Sequence, residues 1–223
     1  ALTSTQVAAL TDDIVWLVEQ EVNGQKVMVP QVYLASNSKN AVITGGSLVA
    51  ANNVSITAGA ATNSGSTIRG NNLSMLADNI NNAGGGVLTG GAVQLAAAQD
   101  IRNSGSTISG NNVTLAAGRD IVSEARIVGG NGVTRLGETG GIADADGLQM
   151  LAGRDVTLAG SRLAAGGDAR VSAGRDVNVT TVTTGSSFHG YHLDEDITTH
   201  HGSSVVVGGN LQMTAGNDLT VAG

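Results

Sequence analysis

The chain has 223 residues, enough for one elongated domain, and its net charge of −7 argues against a nucleic-acid or heparin surface, which needs clustered Lys and Arg. Aromatic residues supply 2% of the sequence and Gly 33 positions, so the 41% apolar content rests on Ala, Val, Leu and Ile. That composition suits a thin core of many small layers rather than a core of large rings, and its recurrent β-branched residues argue against disorder.

The chain contains no Cys, which excludes a disulfide framework or thiolate metal site, and no apolar run approaches the ~20 residues of a membrane helix. The opening Ala1-Leu2-Thr3-Ser4 does not read as a signal peptide. Ser4 to Leu10 reads as a short helix capped by Ser4 or Thr3. Next come Ile14 to Val22 and Gln25 to Val29, two apolar-rich runs separated by Asn23-Gly24, a strong signal for a tight hairpin. Such a hairpin places Glu21 opposite Lys26, and Pro30 is expected to end its second strand. Residues 1–40 are therefore expected to form a helix and hairpin packing on, or capping, the remainder of the chain.

From residue 41 the sequence repeats. Asn63-Ser64-Gly65-Ser66-Thr67-Ile68-Arg69-Gly70-Asn71-Asn72 recurs forty residues on, from Asn103, with Ser109 in place of Arg69. A degenerate copy begins at Asn82, so the unit is near 20 residues. The slot reading Ala-Gly-Arg-Asp at 117–120, 152–155 and 173–176 returns as Ala-Gly-Asn-Asp at 215–218. Within each unit, stretches such as Val113-Thr114-Leu115 alternate with period two, and Gly and Asn pairs punctuate them. Three short strands with corners every ~20 residues describe one coil of an all-β, right-handed parallel β-helix, with eight or nine coils over roughly 40 Å. Identical residues then stack, giving apolar ladders inside and amide ladders at Asn corners. Two stretches break the period. Residues 129–147, Gly-rich with Asp144 and Asp146, read as a loop out of one coil. Residues 181–204 read as a coil with extruded loops or as a long hairpin. The ending Leu219-Thr220-Val221-Ala222-Gly223 matches the inside of a unit, so a piece of a longer protein is expected.

The run Leu10 to Val18, then Val29-Pro30-Gln31-Val32-Tyr33-Leu34, followed by the Ala-Gly-Arg-Asp and Gly-Gly-Asn-Leu repeats, resembles filamentous haemagglutinin-like exoproteins. These are secreted by the two-partner route and include contact-dependent growth-inhibition effectors. The resemblance covers essentially the whole chain, and the Trp-bearing hairpin is its more specific part. It implies a long extracellular rod on Gram-negative bacteria, exported by an outer-membrane partner that this region does not contact. Within growth-inhibition effectors it implies the second repeat region, which contacts target cells and helps deliver toxin across their outer membrane. A host-cell adhesin rod is the alternative, and a polysaccharide-acting β-helix enzyme a second one.

The residues most suggestive of chemistry gather in one stretch: Phe188, His189, Tyr191, His192, Asp194, Glu195, Asp196, His200 and His201. His-x-x-His with nearby carboxylates can ligate zinc, but the segment is rich in Gly, Ser and Thr, and a solvated loop is the better reading. These nine residues are instead expected to form an interaction loop for a target-cell surface or outer membrane, because exposed aromatics favour such contacts. The recurrent Asp100, Asp120, Asp155, Asp176 and Asp218 lack the nonapeptide spacing of calcium rolls and are read as corner residues bonding their own turns. Arg119, Arg154 and Arg175 are placed to pair with neighbouring Asp residues along the rod. Asp144 and Asp146 are the best acid pair for a glycosidase-like site, and nothing nearby completes it. No catalytic residues, cofactor or resident metal are expected, and no nucleic-acid partner.

Overall fold

The computed structural model describes residues 14–22, 25–33, 46–130, 133–189 and 194–223, and contains no helix among them. The expected helix at Ser4 to Leu10 lies outside these residues. The chain divides into two units, one ending at Thr44 and one beginning at Gly45.

In the first unit, β1 (Ile14–Val22) and β2 (Gln25–Tyr33) pair antiparallel, in the register that sets Glu21 opposite Lys26. The Lys26 ammonium chooses the diagonal neighbour on the same face, Glu19, at 2.7 Å. Pro30 does not end β2; it lies opposite Leu17 and the strand continues to Tyr33. A two-stranded ribbon leaves alternate N–H groups without a ladder partner, and Pro is tolerated at such positions.

The second unit is a parallel β-helix of seven coils among the described residues. Coil 1 is β3 (Leu48–Ser64) and coil 2 is β4 (Thr67–Ala83), each running through two corners. Coil 3 is β5 (Val87–Ala97) and β6 (Ile101–Ser104), and coil 4 is β7 (Thr107–Ala117) and β8 (Ile121–Glu124). An excursion comes next, made of β9 (Ile127–Gly130) and β10 (Val133–Leu136). Coil 5 is β11 (Gly141–Ala152) and β12 (Val156–Ala159); coil 6 is β13 (Arg162–Ala165), β14 (Asp168–Ala173) and β15 (Val177–Thr180). A second excursion, β16 (Val182–His189) and β17 (Asp194–His201), precedes coil 7: β18 (Ser204–Val207), β19 (Leu211–Ala215) and β20 (Leu219–Val221). Seven levels at the strand spacing make a stack of about 30 Å. The count falls below eight or nine because two repeat lengths are spent on the excursions.

Every coil repeats the same inward slots. Leu73, Val93, Val113 and Leu148 form one ladder, and Ile80, Ile101, Ile121, Val156 and Val177 another. These side chains are buried, and each contributes about 1.5–3 kcal/mol by leaving water. One inward slot of the third strand is polar in the early coils. Asn63 donates to Asn82 Oδ1 and Asn82 to Asn103 Oδ1, both at 2.8 Å, and Asn103 donates to Ser123 Oγ at 3.3 Å. All four are buried. From coil 5 onward the slot turns aliphatic, with Leu158, Val179 and Val221. A second, exposed amide ladder links Asn71 to Asn52 and Asn72 to Asn53.

The corner between the second and third strands carries the Arg-Asp series. Asp218, in coil 7, bonds its own turn as expected, accepting from Asn217 Nδ2 at 2.9 Å, and Asp176 lies 3.0 Å from Arg175 Nε beside it. Asp100, Asp120, Asp155 and Asp176 also bond between coils. Each reaches to the next coil: Asp100 Oδ1 accepts from Arg119 Nε at 3.0 Å and from the Asp120 backbone N–H at 3.2 Å. Asp120 does the same for Arg154 and Asp155, and Asp155 for Arg175 and Asp176. Asn217 replaces Arg above Asp176. The coils stack closely here, and these carboxylate acceptors point along the rod. The same closeness demands Gly: a Cβ on Gly118, Gly153 or Gly174 would lie about 2.1–2.2 Å from a carbonyl oxygen of the coil below.

Candidate functional site

Both excursions leave from the same corner, between the third strand of one coil and the first strand of the next. Elsewhere that corner closes tightly on a Gly with positive φ: Gly65, Gly84, Gly105 and Gly160. After coils 4 and 6 it opens into a hairpin. β9 pairs antiparallel with β10, and β16 with β17 from Val182↔His201 to His189↔Asp194. The expected loop at 129–147 is thus displaced: the chain is back in the ladder by Gly141, and the departure covers 126–140. For 181–204 the long hairpin is the arrangement found.

The two hairpins join. β10 pairs antiparallel with β16 at Val133↔Ser186, making a four-stranded sheet in the order β17-β16-β10-β9 beside the rod. Coil pitch explains the junction. β10 leads into coil 5 and β16 leaves coil 6, so the two hang from adjacent levels, one strand spacing apart. Thr134 fastens them, its hydroxyl accepting from the Gly185 N–H at 2.7 Å and donating to the Gly185 carbonyl at 3.2 Å. Gly160 holds the tight corner between the two departures. A Cβ there would stand 2.6 Å from Val182 Cγ2 and 3.2 Å from Ala125 Cβ. Thr134, Gly160 and Gly185 carry this junction, and sequence reasoning did not single them out. The one signal for it was that a coil of normal length separates the two irregular stretches.

Eight residues of strand reach about 27 Å. Because Val133 lies opposite Ser186, the shorter hairpin supports only the lower half of the longer one, and the longer one projects past it. The expected interaction residues are spread along the longer hairpin, from its far end to its base, rather than gathered. Phe188 and His189 are paired in register with Glu195 and Asp194 near its far end, and Asp196 lies opposite Ser187. Tyr191 and His192 lie outside the described residues, as do the side chains of Phe188, His189, Asp194 and Glu195. His200 and His201 are at the base, about 20 Å from Asp194 along the strand. His200 Nδ1 is 3.3 Å from Thr183 Oγ1, and His201 Nε2 is 2.9 Å from the buried Thr184 Oγ1. Being consecutive in a strand, these two imidazoles face opposite sides of the sheet and do not share one ion. Among the described residues, no three His, Cys, Asp or Glu side chains are grouped to hold a metal. Above the junction, Val133, Thr134, Gly185, Ser186, Ile197 and Thr198 line a shallow recess, and Ile197 is half-exposed.

Asp144 and Asp146 do not form an acid pair. Asp144 is buried in β11, its Oδ2 accepting from the Val113 N–H at 2.7 Å, while Asp146 is exposed. An extra residue between Asp144 and Gly147 shifts the register against β7 and makes room for a side chain where coils 2 to 4 carry Gly70, Gly90 and Gly110. Burial raises the Asp144 carboxyl above its ordinary range, against the opposing effect of the backbone N–H groups of Val113 and Gly147.

The hemagglutinin repeat family matches residues 77–126 and 129–192, which take in the shorter hairpin and β16 and end before β17. The chain is 32% identical, over its full length, to the tRNA nuclease CdiA of Yersinia mollaretii. It is 38% identical over 73% of its length to the 16S rRNA endonuclease CdiA of Enterobacter cloacae, and 37% identical over 99% to the deoxyribonuclease CdiA of Dickeya dadantii. It spans 8%, 5% and 7% of these three relatives. No solved structure matches the chain.

Proposed function

Because this chain belongs to the hemagglutinin repeat family, we propose that it is a stretch of the secreted, surface-exposed rod of a CdiA-like exoprotein, and that its lateral sheet contacts the target cell during toxin delivery. The carrying observation is architectural. Seven coils supply the stem, and among the described residues both stretches that depart from it do so at one corner and on one side. Support also comes from the relatives. The activities in their names differ, toward tRNA, 16S rRNA and DNA, while the stretch they share with this chain is the same repeat region. A segment common to nucleases of different specificity is a carrier of the activity and not its source. Catalysis is accordingly assigned elsewhere in the full protein, and the transporter partner to a different segment.

The expected interaction residues belong to this reading through the far end of the longer hairpin, where Phe188 pairs with Glu195 and His189 with Asp194, while His200 and His201 stand at its base. The test removes the longer hairpin in the full-length effector, replacing residues 182–202 with a tight corner copied from Gly160-Ser161. Secretion and display of the rod are expected to persist, while delivery into target cells falls at least tenfold. Unchanged delivery would make the sheet a passive ornament of a spacer. A host-cell adhesin reading would instead show the same deletion lowering attachment to eukaryotic cells.

A further inference from the structure

The lateral sheet ends on β17, and among the described residues no strand pairs with its outer edge. An eight-residue open edge is a template for one more strand, and edges are normally blunted by charge. Here the charge is arranged in two halves. β17 reads Asp194-Glu195-Asp196-Ile197-Thr198-Thr199-His200-His201, acidic at one end and imidazole at the other. A parallel copy would set acid on acid. An antiparallel copy sets acid on imidazole.

We infer that β17 pairs antiparallel with β17 of a second copy of this chain, about a two-fold axis at Thr198, joining two lateral sheets into one of eight strands. The register follows from symmetry. In an antiparallel pair, hydrogen-bonded and non-hydrogen-bonded positions alternate, so a two-fold axis must pass through a residue facing its own copy. With Thr198 on the axis, Ile197 faces Thr199 of the other copy, Asp196 faces His200, and Glu195 faces His201. Each dimer then gains four carboxylate–imidazole pairs. With Ile197 on the axis, Asp196 and Glu195 face Thr198 and Thr199, and those matches vanish. Asp196, Ile197, Thr198, Thr199 and His200 are all exposed, with Ile197 at 50%, so the middle of the strand is available and its one aliphatic side chain gains cover. Across the inner edge, β16 offers Val182, Thr183 and Thr184 to the two histidines and no charged residue, and the nearest cation on the sheet is Arg135, two strands away.

The absence of Cys from the chain makes the test direct. A Thr198→Cys variant carries a single thiol that, in the inferred register, faces its own copy at the Cα spacing of directly opposed residues, about 4.5–5.5 Å, which a disulfide spans. Under mild oxidation it is expected to cross-link at least tenfold faster than Asp196→Cys or His200→Cys, and an equal mixture of Ile197→Cys and Thr199→Cys chains to cross-link faster than either alone. Sedimentation of the unmodified chain should show a dimer. A Glu195→Lys/Asp196→Lys chain and a His200→Glu/His201→Glu chain should each sediment as monomers and associate when mixed. A monomer with no positional preference among the thiols would overturn the inference. Preference for a different position would overturn the register, and a monomer that captures an added Lys-rich extended peptide would assign the edge to a basic partner instead.

Discussion

Asn82 sits at the centre of the buried amide ladder, donating to Asn103 and accepting from Asn63, with the Gly86 and Thr107 carbonyls also within its reach. Asn82→Ala removes one member and leaves buried partners on both sides. The expected loss is about 2–3 kcal/mol in denaturant unfolding, the cost of unsatisfied buried polar groups. Asn71→Ala, in the exposed ladder, should cost less than about 0.5 kcal/mol, because water replaces the lost partner. The carboxylates divide by sign. Hydrogen bonds from Arg119 and Arg154 hold Asp100 and Asp120 below the ordinary 3.8, and the Asn217 amide does the same for Asp176. Their stabilisation is fully present above pH ~4 and is lost as the pH falls below it. Asp144 runs the other way. Its raised folded-state value favours the native state at low pH and penalises it once the pH climbs past that value. Asp144→Asn is therefore expected to raise the melting temperature at pH 7, with the gain shrinking to nothing near pH 4, as thermal melts across that range would show.

At the scale of elements, the corner glycines and the hairpins behave as opposites. Gly153→Ala drives a methyl into the Gly118 carbonyl, and the resulting separation of coils 4 and 5 should cost about 1–3 kcal/mol. Removing a hairpin should cost far less, since each leaves and returns at one corner and no rod strand depends on it; the melting temperature of the deletion variant is the check. This contrast marks what was legible in the sequence. The ladders were legible because inward Val, Ile and Leu recur at a period of ~20, and the Asn23-Gly24 hairpin because its turn residues are so restrictive. Direction along the rod was not. That Asp100 bonds Arg119 and the Asp120 N–H in the next coil, and not its own turn, depends on how closely consecutive coils approach. The junction at Thr134 and Gly185 was illegible for a related reason. The two residues are 51 positions apart and meet only because the pitch sets their strands side by side.

For the whole molecule, pitch governs what lies outside the rod as well as what lies within it. A stack of coils has nearest-neighbour interactions only, so one more coil can be added without disturbing the others. Inserting a second copy of residues 141–161 before Arg162 should leave the rod folded but move β16 to about 9–10 Å from β10, two strand spacings. The Gly185 amide would lose Thr134, and its hydrogen exchange should accelerate while the amides of the ladders keep their protection. The single coil turning through Gly160 therefore sets a rule for any longer run of such repeats. Where outgrowths recur at every second turn, they knit into a continuous fringe along one side of the filament. Where they are spaced more widely, they stand as separate bristles. The interval alone, whatever the outgrowths are made of, decides whether the filament presents a comb or a curtain to a neighbouring cell.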